Sequence, residues 1–312
     1  MSSPAPGRLS PVFDALLRGE DPGFGALAQL SSLDGDDLEF ARGAWPALSP
    51  DARERLLLRA NELAEDDATL DFVALARVAL KDPSAAVRKR AVEALWETDD
   101  RRAARDLVAL LEHDPDAAVR EAAAESLTHF VILREFEDFD AGEGDAIIAA
   151  LRGRIEDVAE DVDVRGGALE ALGPRTLAWV DSLITNAYYH DAERLRLSAF
   201  RAMGASAHEK WLEYIYEGLS SEEPEVRFEA AQAAGLIASD EATEAVGALL
   251  DDEDSDVAFA AIRALGEISG PAAQQYLREF AARAPEGFEL EVADAMEAAT
   301  FNLGSRDQDD WA

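Results

Sequence analysis

The strongest constraint on the fold is an internal repeat with a period of 31 residues. A short phrase recurs along the chain: an acidic turn, then Val-Arg or a close variant, then small apolar residues at helical spacing. The first position of this phrase is occupied in turn by Val87, Val119, Val164, Leu195, Val226, Val257 and Phe288. The steps between these positions are 32, 45, 31, 31, 31 and 31 residues. A fixed period of this length is the sequence signature of a stacked-repeat protein.

Each repeat predicts a pair of helices. Counted from the first position as zero, positions 0, 4, 7 and 8 are mostly apolar and share one face of a helix. A second amphipathic stretch precedes each phrase, as at 208–219 and 240–250. A single helical hairpin cannot bury its apolar face, whereas stacked hairpins can. The sequence therefore predicts an all-α chain of about seven to eight helical hairpins, with a weaker first copy near Ala52-Arg53.

These repeats resemble the HEAT-repeat family, and in particular the short HEAT-like units shared with phycobilisome lyases. The resemblance covers residues 80–312 and implies a right-handed α–α superhelix, the HEAT/armadillo type of solenoid, whose second helices line the concave side. It also implies that the Arg at position one reaches an Asp of a nearby turn and forms a structural ladder. The arginines concerned are Arg88, Arg120, Arg165, Arg196 and Arg227. Because Ala258 and Glu289 take this position later, we expect the ladder to end before the last two repeats.

The regions outside the regular period set the expected domain limits. Residues 1–50 are rich in Gly, Pro and Asp, and they predict an irregular helical N-terminal cap over one end of the repeats. The repeat solenoid is expected over 51–304. Its 45-residue step places an insertion loop near 134–145. The acidic tail, 305–312, is expected to be frayed.

Glycine occupies position nine of four successive phrases, at Gly173, Gly204, Gly235 and Gly266. Glycine adopts a left-handed conformation without steric cost, and helices often end at such a residue. We therefore expect four second helices to end at these glycines, which would also leave room above each helix.

The charge excludes one class of partner and favours a particular solvent. The chain has 65 Asp and Glu against 29 Lys and Arg, a net charge of −36. Nucleic-acid binding needs clustered Lys and Arg, so no nucleic-acid partner is expected. Three of the basic residues are Lys and the acids are spread along the chain, which resembles the proteins of halophiles that accumulate salt. The alternative is an acidic protein of a mesophile with a GC-rich genome.

Location follows from the apolar pattern. No apolar run approaches the 18 residues or more of a membrane-spanning helix, so no membrane partner is expected. Residues 1–20 lack the charged-then-apolar pattern of a signal peptide. We therefore expect a cytoplasmic protein.

The chemistry-bearing residues do not form a catalytic motif. The chain has no Cys, no P-loop, no dinucleotide-binding glycine motif and no GxSxG motif. His113 and His190 lie two repeats apart, about 20 Å at about 10 Å per layer, so they cannot share a metal. One His-Glu pair, His208-Glu209, resembles the repeated pairs of the iron-binding deoxyhypusine hydroxylases. We expect a non-enzyme without a metal or cofactor. The alternatives are a bilin or tetrapyrrole lyase-like protein and, less favoured, a metal-dependent hydroxylase.

A partner-binding surface is predicted on the second helices of the C-terminal repeats. Position two of the phrase points away from the core on a helical wheel, and it is apolar in four successive repeats. We call these residues the apolar stripe: Leu197, Phe228, Phe259 and Leu290. Arg201 and Arg263 lie beside the apolar stripe, where they are expected to pair with carboxylates of a partner.

We interpret the apolar stripe as the concave face of a non-catalytic scaffold or adaptor that binds a protein or peptide. The alternative is that these side chains pack between neighbouring second helices. A second candidate surface is a basic cluster, which either pairs internally or binds an anionic partner. Its residues are Arg88, Lys89, Arg90, Arg101, Arg102 and Arg105.

Overall fold

A computed structural model describes residues 7–96 and 98–309 of the chain. Every regular element in this part of the chain is a helix, which confirms the predicted all-α, α–α superhelical fold class. The chain divides into two compact units, Met1–Ala171 and Leu172–Ala312. None of the described helices is long and apolar enough to span a lipid bilayer.

The first unit holds the N-terminal helices and the first repeats. Its helices are α1 (Ser10–Leu17), α2 (Phe24–Leu27), α3 (Gly35–Ala44), α4 (Pro50–Asp66), α5 (Val73–Ala79), α6 (Ala85–Glu93), α7 (Arg101–His113), α8 (Ala117–Ser126), α9 (Thr128–Glu135), α10 (Ala141–Glu156) and α11 (Val162–Leu172). Helices α5 and α6 pair, as do α7 and α8, while α4, α6 and α8 stack in succession. Because α4 stacks on α6 as a second helix would, it takes the place of the weaker first copy at Ala52-Arg53.

The second unit is built from the four regularly spaced repeats. Its helices are α12 (Ala178–Tyr188), α13 (Glu193–Ala205), α14 (Leu212–Leu219), α15 (Pro224–Ile237), α16 (Thr243–Gly247), α17 (Ser255–Ile268), α18 (Gly270–Ala281) and α19 (Glu289–Asp309). The second helices α13, α15, α17 and α19 stack in order, each paired with the helix before it. In α17 all four apolar positions of the repeated phrase belong to the core. Their residues, Val257, Ala261, Ala264 and Leu265, are all buried. The core of this unit therefore lies between its first and second helices.

The four periodic glycines do not end their helices in a left-handed turn. None of the four has a positive φ, and α13, α15 and α17 continue past their glycines. Positive φ occurs instead three residues later, at position twelve, in Ala207, Ala238 and Ser269. The prediction of glycine caps was therefore wrong.

The reason is a close contact between successive second helices. Each glycine at position nine faces the alanine at position seven of the next repeat. A Cβ atom placed on Gly204 would lie 2.9 Å from the Cα of Ala233, and one on Gly235 would lie 2.9 Å from the Cα of Ala264. The expected room above the helix is therefore filled by the next helix.

The insertion is only partly a loop. Helix α9 ends at Glu135 and α10 begins at Ala141, so only 136–140 of the range 134–145 expected to be a loop lie outside helices. Helix α9 forms because Phe130 and Val131 are buried on one side of it. Phe139 folds back and lies with its ring centroid 5.2 Å from that of Phe130, whereas Phe136 is 72% exposed.

The two chain ends differ in regularity. The N-terminal cap region contains the short helices α1 to α3, whose core includes Phe13 packed edge-on against Phe40 at 5.7 Å. Helix α19 continues through Asp309, so residues 305–309 of the predicted frayed tail are helical. Residues 310–312 lie outside the described residues, and the prediction for them stays untested.

Candidate partner-binding groove

The position-one arginines tie neighbouring turns together. Arg88 donates from Nε and Nη2 to the two carboxylate oxygens of Asp114, at 2.7 and 2.8 Å. Its Nη1 donates to the carbonyl of Asp82 at 2.8 Å. Asp114 in turn accepts the backbone N–H of Asp116 at 2.9 Å. Arg88 therefore joins the turn before its own helix to the turn of the next repeat.

The other ladder positions differ in how completely they repeat this pattern. Arg227 contacts both oxygens of Asp252 at 2.7 Å, and Arg120 contacts Glu160 at 2.6 Å. Two further positions are weaker: Arg196 lies 3.5 Å from Glu223, and Arg165 donates to the carbonyl of Ile155 at 3.1 Å.

One ion pair of this kind was not predicted, although the sequence contains a signal for it. Arg53 forms a buried ion pair with Asp82, which lies five positions before Val87. Asp82 also accepts the indole N–H of Trp45 at 2.8 Å and the N–H of Ser84 at 2.9 Å. The same five-position offset relates Asp114 to the phrase that follows it, so the Ala52-Arg53 copy could have been assigned a ladder arginine.

Hydrogen bonding governs the acidity of the ladder carboxylates. The pKa of Asp252 is lowered chiefly by the hydrogen bonds from Arg227, against an opposing effect of burial. Burial alone would raise the pKa of Asp82, but hydrogen bonds from Ser84, Trp45 and Arg53 together lower it. These carboxylates therefore stay ionised in the folded protein at neutral pH and stabilise the turns.

The structure brings part of the apolar stripe into one groove. Leu197 of α13 and Phe228 of α15 are half-buried and line a groove of about 300 Å³ within the second unit. The remaining lining residues are Arg201, Pro224, Glu225, Glu229, Asp254, Asp256 and Val257. Two apolar side chains from neighbouring repeats thus share one open, polar-rimmed concavity, which we call the Leu197–Phe228 groove.

The other two stripe residues lie elsewhere. The ring of Phe259 stacks on that of Phe288 in the next repeat, with centroids 4.3 Å apart and planes at 14°. Phe259 therefore packs between second helices, which was the alternative interpretation of the apolar stripe. Leu290, at the start of α19, is 72% exposed and does not line the groove.

Arg201 and Arg263 already have acidic partners within the chain. Arg201 pairs with Glu229, and Arg263 pairs with Glu291. In both cases an Arg at position six of one repeat meets a Glu at position three of the next. We expected these arginines to meet a partner's carboxylates, but the neighbouring repeat supplies the carboxylate.

The groove is consequently acidic. Glu225, Asp254 and Asp256 add to the Arg201–Glu229 pair in its lining. Asp254 accepts the N–H of Asp256 at 2.9 Å and caps α17, which keeps its carboxylate at the rim. Side chains that enter this groove therefore meet apolar walls and excess negative charge.

Three of the six residues of the basic cluster are paired with acids of the chain. Arg88 binds Asp114, Arg90 binds Glu93 at 2.8 Å, and Arg101 binds Glu143 at 2.8 Å. The positive excess that the sequence shows is therefore partly offset by Asp114, Glu93 and Glu143.

Each histidine has a local contact. His190 and His208 accept backbone N–H groups at Nδ1, from Ala192 at 2.9 Å and Lys210 at 3.2 Å. His129 lies 2.7 Å from Asp99, and His113 is mostly exposed beside Glu112. Across residues 7–96 and 98–309, no three His, Asp or Glu side chains lie close enough to hold a metal ion.

Comparison with known proteins agrees with the helical-repeat fold of the structure. The sequence profile of HEAT repeats matches residues 47–130 and 212–297, more than half of the chain. No curated protein matches the sequence. The structure of the complex of CpcE and CpcF of phycocyanin lyase from Nostoc sp. PCC7120 is similar, with 21% identity and a TM-score of 0.53 over 86% of this chain and 96% of that chain.

Two further solved structures are more distantly similar. Human deoxyhypusine hydroxylase in complex with glycerol shares 19% identity at a TM-score of 0.36, over 89% of this chain and 98% of that chain. The Escherichia coli protein YibA shares 15% identity at a TM-score of 0.44, over 95% of this chain and 99% of that chain. At these identities the similarity concerns the fold alone.

Proposed function

The chain belongs to the HEAT-repeat family, and we propose that it is a non-catalytic scaffold that binds a segment of another protein in the Leu197–Phe228 groove. One observation carries the proposal: apolar side chains from two neighbouring repeats line the same open groove. The core of these repeats is formed by other positions, such as Ala261 and Leu265, so Leu197 and Phe228 are available for binding.

The chemistry of the groove indicates the kind of segment it receives. Leu197 and Phe228 favour an apolar anchor residue, because anchors that fill a pocket supply most of the energy of an interface. Since Arg201 is paired with Glu229, the net charge left to a partner is that of the surrounding acids. The proposed partner segment therefore has one large apolar side chain flanked by Lys or Arg.

Peptide selection tests the proposal without knowledge of the natural client. Peptides from a displayed random library are selected on the wild-type protein, and their affinities are measured for Phe228→Ser and for Leu236→Ser. Leu236 is 58% exposed on the same helix and does not line the groove, so it is the matched control. We expect the selected peptides to combine an apolar residue with basic neighbours. Their affinity should fall at least about tenfold with Phe228→Ser, equivalent to about 1.4 kcal/mol, and remain unchanged with Leu236→Ser.

A charge variant separates binding from folding. Glu225 and Asp256 are exposed on the groove rim, so Glu225→Lys/Asp256→Lys is expected to leave the fold intact and to weaken basic peptides. Equal affinity for both variants and wild type would contradict the proposal. So would a drop in thermal stability with Phe228→Ser as large as that of a buried core substitution, because Phe228 would then be a packing residue.

We further propose that the scaffold works in concentrated salt. The support is the net charge of −36, which causes self-repulsion that dissolved ions screen.

A further inference from the structure

A cavity in the first unit differs in charge from the rest of the chain. Its volume is about 590 Å³, and it lies between α3, α4, α5 and α7. Its lining residues are Arg42, Trp45, Pro46, Arg53, Arg77, Val78, Lys81, Asp82, Pro83 and Asp106. Four cations and two carboxylates thus face one space, in a chain whose acids outnumber its bases by more than two to one.

Both carboxylates of the cavity are engaged by the protein itself. Asp82 is buried and accepts hydrogen bonds from Arg53, Trp45 and Ser84. Asp106 accepts the Nε–H of Arg77 at 2.7 Å. The charges therefore cancel within each of the two ion pairs, Arg53–Asp82 and Arg77–Asp106.

Two cations remain. The side chains of Arg42 and Lys81 are exposed, and neither has a hydrogen-bond or ion-pair partner among the described residues. Arg42 lies in the last turn of α3 and Lys81 lies two residues after the end of α5, so separate elements bring them to the same cavity. Two cations without an acidic partner among the described residues are thus brought to the lining of one cavity.

Part of the cavity lining is apolar. Pro46, Val78 and Pro83 line it beside the indole of Trp45, whose N–H is used internally by Asp82. Sites for small molecules typically have volumes of about 300–1,000 Å³ and combine an apolar lining with a few placed polar groups. A space of this size exceeds the needs of a simple inorganic ion.

We propose that this cavity binds a small organic anion, with two or more negative charges on carboxylate or phosphate groups, through Arg42 and Lys81. The guanidinium of Arg42 suits a forked contact with an oxyanion, and Lys81 supplies a compact second charge. The site is separate from the Leu197–Phe228 groove and does not depend on the proposed scaffold function.

Titration calorimetry at low ionic strength tests the site with citrate as the carboxylate probe and glycerol 3-phosphate as the phosphate probe. The test variant is Arg42→Gln/Lys81→Gln. The control is Lys89→Gln/Arg102→Gln, which removes the same charge from the first unit outside the cavity. We expect at least one probe to bind the wild type and the control within twofold of each other. The test variant should lose at least about tenfold in affinity, equivalent to about 1.4 kcal/mol.

Two results would overturn the inference. The first is that neither probe binds the wild-type protein. The second is that both double variants lose affinity equally, because binding would then reflect net charge and not this cavity. A preference for citrate or for glycerol 3-phosphate would identify which oxyanion the site takes, and circular dichroism of each variant would show that the fold is kept.

Discussion

Gly235 of α15 lies directly against Ala264 of α17, so close that a Cβ atom on the glycine would be 2.9 Å from the Cα of the alanine. The obstacle is backbone and cannot move aside as a flexible side chain can. The same relation joins Gly204 to Ala233 one repeat earlier. Glycine and alanine therefore recur at the same two positions of successive 31-residue repeats, because second helices touch there.

Substitution at this contact is expected to destabilise the second unit. Gly235→Ala should lower the free energy of unfolding by about 1–3 kcal/mol, the usual cost of overpacking a core. The control is Gly153→Ala, because a Cβ atom at Gly153 in α10 meets nothing within 4 Å. That substitution should be neutral or stabilise by up to about 1 kcal/mol, since alanine favours helix interiors. Urea titration followed by circular dichroism measures both, and equal effects would contradict the contact.

The Arg227–Asp252 pair predicts a pH-dependent contribution to stability. The pKa of Asp252 is lower in the folded chain than in the unfolded chain, so the pair contributes fully above the unfolded pKa, about 4 for Asp. The contribution is lost as the pH falls below that value. Asp252→Asn should therefore cost about 2–3 kcal/mol at pH 7, with the difference from wild type shrinking below about pH 4.

Asp256→Asn is the control for this experiment. Asp256 is an exposed aspartate on α17, so its replacement changes the net charge equally without removing a ladder carboxylate. Chemical unfolding between pH 3 and 7 compares the two variants. A loss in Asp252→Asn that does not depend on pH would contradict the electrostatic origin of its effect.

The Arg53–Asp82 pair is the most buried ion pair of the ladder. Arg53→Leu would leave the Asp82 carboxylate buried without its cationic partner and should cost about 3–5 kcal/mol. Arg53→Leu/Asp82→Asn removes that charge while keeping an acceptor for Trp45, so it should lose less than the single variant. A double variant less stable than Arg53→Leu, as measured by thermal unfolding, would contradict this.

The net charge predicts the response to salt. Molar KCl should raise the unfolding temperature above its value in dilute buffer, because ions screen repulsion among the acids. A variant with several exposed acids changed to Gln or Asn should show a smaller increase. A flat or inverse response of the wild type would remove the proposal of a salt-rich working solvent.

The period and the apolar phrase sufficed to predict the fold, because core burial in stacked hairpins depends on residues close in sequence. The contact of Arg88 with an Asp of a nearby turn was implied by the resemblance to HEAT repeats. The role of the position-nine glycines was not, since a glycine that ends a helix and one that admits a neighbouring helix look alike in sequence. Only the placement of Ala264 beside Gly235 separates the two.

The candidate groove was only partly predictable. The helical wheel predicted that Leu197 and Phe228 lie outside the core, and both are half-buried at the groove. It could not show that Phe259 stacks on Phe288. Nor could it pair Arg201 with Glu229, because that contact depends on the offset between two stacked helices. No sequence motif predicts the cavity of Arg42 and Lys81, because its lining residues come from four separate helices and the turns beside them.

Site-specific photocrosslinking tests the central claim most directly. A photoreactive p-benzoylphenylalanine replaces Leu197 in one protein and Leu236 in another, and each is irradiated with a peptide selected on the wild-type chain. The proposed groove predicts that the peptide crosslinks through position 197 and that unlabelled peptide competes for this reaction. Equal crosslinking through position 236, or none through 197 while the peptide stays bound, would contradict it.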